Sequence, residues 1–171
     1  DDPIAAWTED LPVRDGDIGE IVVRGDLVTR SYFRNPQANI QAKLTDGHSF
    51  WHRMGDLGWR DSKNRIWFCG RKSHRVVTPG GDMFTIPCEA IFNTHPGVFR
   101  SALVGVGPHP HQTPVICIER SPEGLKMEPD RLTDELLQTA AASPLTKSIR
   151  HILFHSGFPV DIRHNAKIYR E

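Results

Sequence analysis

The chain has 171 residues, with 21 Lys+Arg against 21 Asp+Glu and a formal charge of zero. That length supports one large domain or two small ones, and a single globule of this size buries about 70% of its unfolded surface. The balanced charge argues against a nucleic-acid binder, which needs a basic field, and no apolar run approaches the roughly 20 residues that a membrane span needs.

The chain opens on Asp1-Asp2-Pro3 without an initiator Met, and a charged stretch through Asp17 leads into the first strand with no preceding element; this reads as a piece of a longer protein. Ile18 to Gly25 is predicted as a strand, with β-branched Ile21, Val22 and Val23 between glycines. Asp26 to Arg30 continues extended and Tyr32 to Pro36 turns. Trp51 to Trp59 and Arg65 to Cys69 are two further strands, joined by a hairpin loop at Asp61-Ser62-Lys63-Asn64. Residues 1–70 are therefore expected to form a small β unit, a distorted barrel or the flap of a larger domain.

The pattern changes after Gly70, and 71–171 reads as an α+β domain, a small sheet with helices on it. Arg75 to Thr78 is a short strand and Pro79-Gly80-Gly81-Asp82 a turn. A helix is predicted from Ile86 to His95, with Ile86, Ala90, Ile91 and Thr94 on one face and Pro96-Gly97 ending it. Ser101 to Val106 and Thr113 to Glu119 are partner strands. A helix over 130–142 carries Leu132, Leu136, Leu137, Ala140 and Ala141 at helical spacing. Ser143-Pro144 suits the start of a short helix to Ile149, and Ile152 to Phe154 is a last strand before the Phe158-Pro159 turn.

Nine histidines raise the question of a metal. His109 and His111 are the closest pair, then His151 and His155, but none stands with a Cys or an acid in a zinc-like spacing, so no metal ligand is assigned. Cys69, Cys88 and Cys117 are scattered in apolar surroundings and read as reduced thiols of a cytoplasmic protein.

Three residues invite a chemical reading. Asp56, in Gly55-Asp56-Leu57-Gly58, offers a rigidly held carboxylate able to accept from two neighbouring hydroxyls, as a ribose diol presents them; it equally suits a plain turn. Arg71 follows Gly70 at a strand end, where a guanidinium reaches a ribose or phosphate, or pairs with a surface carboxylate. Lys167, in Arg163-His164-Asn165-Ala166-Lys167-Ile168, has few acids nearby in sequence. An ammonium on a mobile loop there suits stabilisation of charge on a transferred phosphoryl group; the alternative is a solvated tail lysine. Gly80-Gly81 discriminates nothing, and no Gly-x-x-x-x-Gly-Lys-Ser/Thr loop is present to cradle phosphates.

Taken in order, Gly19-Glu20-Ile21-Val22-Val23-Arg24-Gly25, Tyr32, Asn35-Pro36, Gly55-Asp56-Leu57-Gly58, Gly70-Arg71, Glu89, His95-Pro96-Gly97-Val98 and Lys167 resemble the last third of the acyl-adenylate-forming superfamily. That group includes acyl-CoA synthetases, adenylation domains of nonribosomal peptide synthetases and luciferases. The resemblance runs over nearly the whole chain in the family's order. The closing segment from Phe158 to Arg170 is slightly longer than the common form and lacks its Gly before the Lys. It looks most like that of the β-lactone synthetases of bacterial long-chain olefin biosynthesis.

The resemblance implies that residues 1–70 end a large N-terminal domain and that 71–171 form a mobile C-terminal domain. It implies that Asp56 binds both ribose hydroxyls of ATP, that Arg71 contacts the ribose, and that Lys167 bridges the α-phosphate and the substrate carboxylate. The hinge falls on Ser73, where the family usually has Asp or Lys, and Met54 stands where it has Thr. The implied chemistry joins a carboxylate to the α-phosphorus of Mg·ATP, releasing pyrophosphate; an acceptor then displaces AMP. In a β-lactone synthetase the acceptor is the β-hydroxyl of a 2-alkyl-3-hydroxy fatty acid, an intramolecular attack favoured by effective concentration. In a fatty acyl-CoA synthetase it is the thiol of CoA, and a fatty acyl-AMP ligase is a further alternative. Between the steps the C-terminal domain rotates and carries Lys167 away.

The phosphate loop, the Mg2+ site and the acyl pocket belong to the family's N-terminal region, so this chain alone is expected to be inactive and to need that region as its partner. The competing class is a non-catalytic module whose β flap docks on another protein.

Overall fold

The computed structural model describes residues 3–162 and 167–170. The chain divides into two compact units, Asp1–Ser73 and His74–Glu171.

The first unit is built on one long strand. β1 (Gly19–Val23), β2 (Lys43–Asp46) and β4 (Ile66–Arg71) all pair antiparallel with β3 (Ser49–Arg60), which the sheet order places between β1 and β2. No closed barrel forms among the described residues. The β3–β4 connection is the expected hairpin. Its lock is Asp61, which accepts from the Trp67 indole at 3.0 Å, the Arg65 guanidinium at 2.7 Å and the Lys63 and Arg65 amides. Those bonds, the indole's foremost, hold the Asp61 carboxyl down at about 2.

Two features of this unit depart from the pattern. Residues 25–28 form a turn where the sequence leads one to expect an extended run over 26–30, with the Val28 amide donating to the Gly25 carbonyl at 3.1 Å. The segment after Tyr32 enters a helix, α1 (Pro36–Ala42), capped by the Asn35 side chain on the Ala38 amide at 3.1 Å with Pro36 at its first position. The start of the chain is also anchored. Trp7 stacks on Trp51 with centroids 4.6 Å apart, and its amide donates to Thr45 of β2 at 2.8 Å.

In the second unit a short hairpin, β5 (Val76–Thr78) and β6 (Gly81–Met83), leads into α2 (Thr85–Phe92). β7 (Val98–Val106) pairs antiparallel with β8 (Thr113–Arg120), and β8 pairs parallel with β9 (His151–His155). A parallel pair needs a crossover of a dozen or more residues, and α3 (Pro129–Ala141) supplies it. Leu132, Leu136 and Ala140, one helical turn apart, are fully buried against a core of Phe92, Leu103, Ile116, Ile118 and Ile149. The expected helix after Ser143 is instead a run of turns that buries Thr146 and Ile149. A last hairpin pairs β10 (Val160–Asp161) with β11 (Lys167–Ile168).

α2 buries a different face from the one its apolar residues suggest. Thr85, Cys88, Glu89 and Phe92 point inward, while Ile86 and Ala90 are exposed. A charged residue inside the helix stripe is the reason: Glu89 belongs to the core because a partner meets it there. The His95-Pro96-Gly97 motif is a structural knot. His95 pairs with Glu135 at 3.0 Å and accepts the Gly97 amide, and Gly97 in turn accepts the Ser121 amide at 3.0 Å. Gly124 lies so close that an added Cβ would stand 2.0 Å from the Gly97 carbonyl oxygen.

Candidate functional site

The Gly55–Gly58 motif lies inside β3, not at a tight turn. Gly55 takes φ +66°, which an L side chain rarely adopts, and the β3–β4 register slips between Leu57 and Gly58. Gly58 is pressed against β4, where a Cβ would meet the Trp67 carbonyl at 2.8 Å. Leu57 is buried, which turns its neighbour Asp56 to the other face of the strand.

Asp56 stands in register opposite Arg71 of β4, and the two side chains form an ion pair at 2.9 Å. Arg71 also donates to the Met54 carbonyl at 2.9 Å. The Asp56 side chain is 23% exposed and that of Arg71 45%. A carboxylate has about four acceptor positions, so one ion pair leaves room for a diol. The structure thus brings together two of the residues singled out from the sequence, and Met54 enters through its backbone.

A second carboxylate lies on the other face of the same sheet, the face that Leu57 occupies. Glu20 of β1 faces Leu57 in register and accepts from Arg53 at 2.7 Å and from Lys72 at 2.9 Å. Burial pushes the Glu20 carboxyl up, but the bonds from Arg53 and Lys72 outweigh it and the group titrates below its ordinary value. Ser73 lies in a single 3-10 turn, Lys72–His74, and is the last residue of the first unit.

Lys167 is exposed and lies on β11 with Asp161 opposite it in register, rather than on a loop. The residues before it, Arg163 to Ala166, lie outside the described residues. Three residues beyond Lys167, Arg170 turns into the core and forks Glu89, with Nη1 to Oε1 at 2.6 Å and Nη2 to Oε2 at 3.1 Å. Glu89 also accepts the Leu103 amide at 2.8 Å, and Arg170 donates to the Leu103 carbonyl at 3.2 Å. Both side chains are nearly sealed, at 12% and 8% exposure. Burial raises the Glu89 carboxyl, opposed by Arg170 and by the Leu103 amide. Removing one partner of such a pair costs about 3–5 kcal/mol, because the other is left charged and dry.

The sequence reading did not assign Arg170. The available signal was a Glu within the buried period of α2, which demands a cation, and a C-terminal arginine to supply it. His109 and His111 are exposed on a tight turn closed by the His111 amide on Pro108 at 2.8 Å. The adjoining Gln112 does the anchoring: its amide donates to the Val77 carbonyl at 2.9 Å and its side-chain oxygen accepts the Val77 amide at 3.0 Å. Cys69, Cys88 and Cys117 carry free thiols; burial pushes Cys88 up to about 11, which makes it a poor nucleophile. No described helix is long and apolar enough to cross a membrane.

No protein-family profile matches the chain. The olefin β-lactone synthetase of Stenotrophomonas maltophilia (strain K279a) is 46% identical to it across all of this chain and 32% of the relative's own length. The sulfoacetate–CoA ligase of Cupriavidus necator is 35% identical over 56% of this chain and 18% of its own length. Among solved structures, the o-succinylbenzoate CoA synthetase of Bacillus subtilis, in complex with its acyl-adenylate intermediate, superposes with a TM-score of 0.73 at 21% identity. That match covers 98% of this chain and 32% of the other. The chain therefore spans about a third of the length of the curated β-lactone synthetase it matches, at that relative's C-terminal part.

Proposed function

This chain is related along its whole length to the C-terminal third of AMP-forming, acid-activating ligases, and on that premise we propose that it serves the conversion of 2-alkyl-3-hydroxy fatty acids to β-lactones. The observation that carries the reading is the extent of the match. The β-lactone synthetase aligns with every part of the chain, the terminal lysine segment included, whereas the CoA ligase aligns with 56% of it.

In this reading the first unit is the closing β piece of a large nucleotide-binding domain, and the second is the mobile C-terminal domain of a cytoplasmic enzyme. Asp56 accepts the two ribose hydroxyls of ATP. Arg71, tied to Asp56 and to the Met54 carbonyl, fixes that carboxylate and contacts the sugar. Lys167 neutralises charge that builds on the α-phosphate as the substrate carboxylate attacks, the kind of stabilisation worth orders of magnitude in rate. Ser73 is the hinge. Mg2+ and the acyl chain are held chiefly by the region that precedes this one in the relatives. The second step is closure by the substrate's own hydroxyl, with AMP leaving.

The test is the full-length enzyme given ATP and a 2-alkyl-3-hydroxy fatty acid without CoA. A β-lactone, AMP and pyrophosphate are expected. Strict dependence on CoA, with a thioester product, favours the second reading, a fatty acyl-CoA synthetase. The isolated 171-residue chain is expected to release no pyrophosphate from the same mixture.

A further inference from the structure

We propose that Arg170 and Glu89 are positioning residues for Lys167, holding the strand that bears it so that its ammonium reaches the reacting phosphate. The proposal rests on the reading of Lys167 above. A lysine has a four-carbon stem and a compact charge, so little precision comes from the side chain itself. Its placement must come from the backbone, and β11 is a strand of two residues in a two-stranded pair, too small to hold its own geometry.

The structure supplies the missing rigidity at both ends of the hairpin. At the entrance, the Phe158 amide donates to Glu119 of β8 at 3.0 Å, and Glu119 is itself gripped by Arg100 at 2.7 Å. At the exit, Arg170 forks Glu89 of α2 and binds the Leu103 carbonyl of β7. Strand geometry puts Arg170 about 10 Å along the chain from Lys167. One guanidinium thus joins the lysine strand, α2 and β7 across 81 residues of sequence. The fork is planar and bidentate, which fixes orientation as well as distance. A displacement of about 1 Å at a reacting centre costs on the order of 100-fold in rate, so loosening this joint should be felt in the step that uses Lys167.

The experiment compares R170A, R170K, E89Q and K167A, with the R170A/K167A double variant, in the full-length enzyme. Two half-reactions are measured in each preparation: pyrophosphate release from ATP and acid, and conversion of preformed acyl-adenylate to product. R170A is expected to slow pyrophosphate release about 100-fold, with R170K and E89Q intermediate, while the second half-reaction changes less than threefold. The double variant should be no slower than K167A, because residues acting through one group are not additive. Should R170A not fold, R170K and E89Q, which keep the volume, carry the same split. Equal slowing of both half-reactions marks a purely structural pair and overturns the proposal, as does multiplication of the R170A and K167A effects in the double variant. If K167A itself leaves pyrophosphate release unchanged, the underlying reading fails and this proposal falls with it.

Discussion

Asp56 and Arg71 face each other across β3 and β4 and are joined by an ion pair of 2.9 Å, with the guanidinium also on the Met54 carbonyl. The Gly-Asp-Leu-Gly motif and the Gly-Arg motif 15 residues later meet on adjacent rungs of one hairpin. Both side chains remain partly exposed, so the pair is not a sealed core fastener.

The carboxylate's role is checked with the ligand's own hydroxyls. In the full-length enzyme, D56N should weaken ATP binding by about 1.5–3 kcal/mol, the worth of hydrogen bonds to a charged group. For 2′,3′-dideoxy-ATP the same substitution should matter little. Calorimetry with both nucleotides reads the difference, and an equal loss for both would remove the diol from the account.

The Glu20 network is expected to make the first unit acid-sensitive. Because its folded-state pKa lies below the ordinary 4.5, Glu20 contributes its full stabilisation above that value and loses it as pH falls through the lowered one. E20Q should cost about 1–3 kcal/mol at neutral pH and flatten the decline below pH 4.5. Urea titrations of both proteins between pH 3 and 7 measure it; parallel declines would show that the acid sensitivity lies elsewhere.

Gly124 has no room for a methyl group, since the obstacle is the Gly97 backbone and not a movable side chain. G124A should destabilise the second unit by about 2–3 kcal/mol, as forced overpacking does, seen as a lower denaturant midpoint. An unchanged midpoint would mean that the 97 and 124 loops move apart freely.

Ser73 closes the first unit within a single turn. Proline fixes φ near −65°, so S73P in the full-length enzyme should impair the two half-reactions unequally, one retained and the other slowed at least tenfold. Equal slowing would argue against a hinge at this position.

Much of this was legible from residues alone. β1, β3, β4, β7, β8 and α3 follow from β-branched runs, glycine boundaries and the Leu132–Leu136–Ala140 spacing. The collinear motifs point to the same relatives that the whole-chain match finds. Other features follow from pairings that no local pattern carries. α2 turns its Glu89 face inward because Arg170, 81 residues away, meets it. α1 was hidden because its signal, Asn35-Pro36, reads equally as a turn. Lys167 looked like a loop residue because strand β11 is only two residues long. At the site, residue types announced Asp56 and Arg71, but their mutual pairing required the register of β3 on β4.

In the proposed function, Lys167 serves acid activation and not the later displacement of AMP. This role is tested most directly by K167A in the full-length enzyme, with pyrophosphate release and acyl-adenylate conversion measured side by side. A loss of at least 100-fold is expected in the first, with near-normal rates in the second. Undiminished pyrophosphate release by K167A would contradict this role.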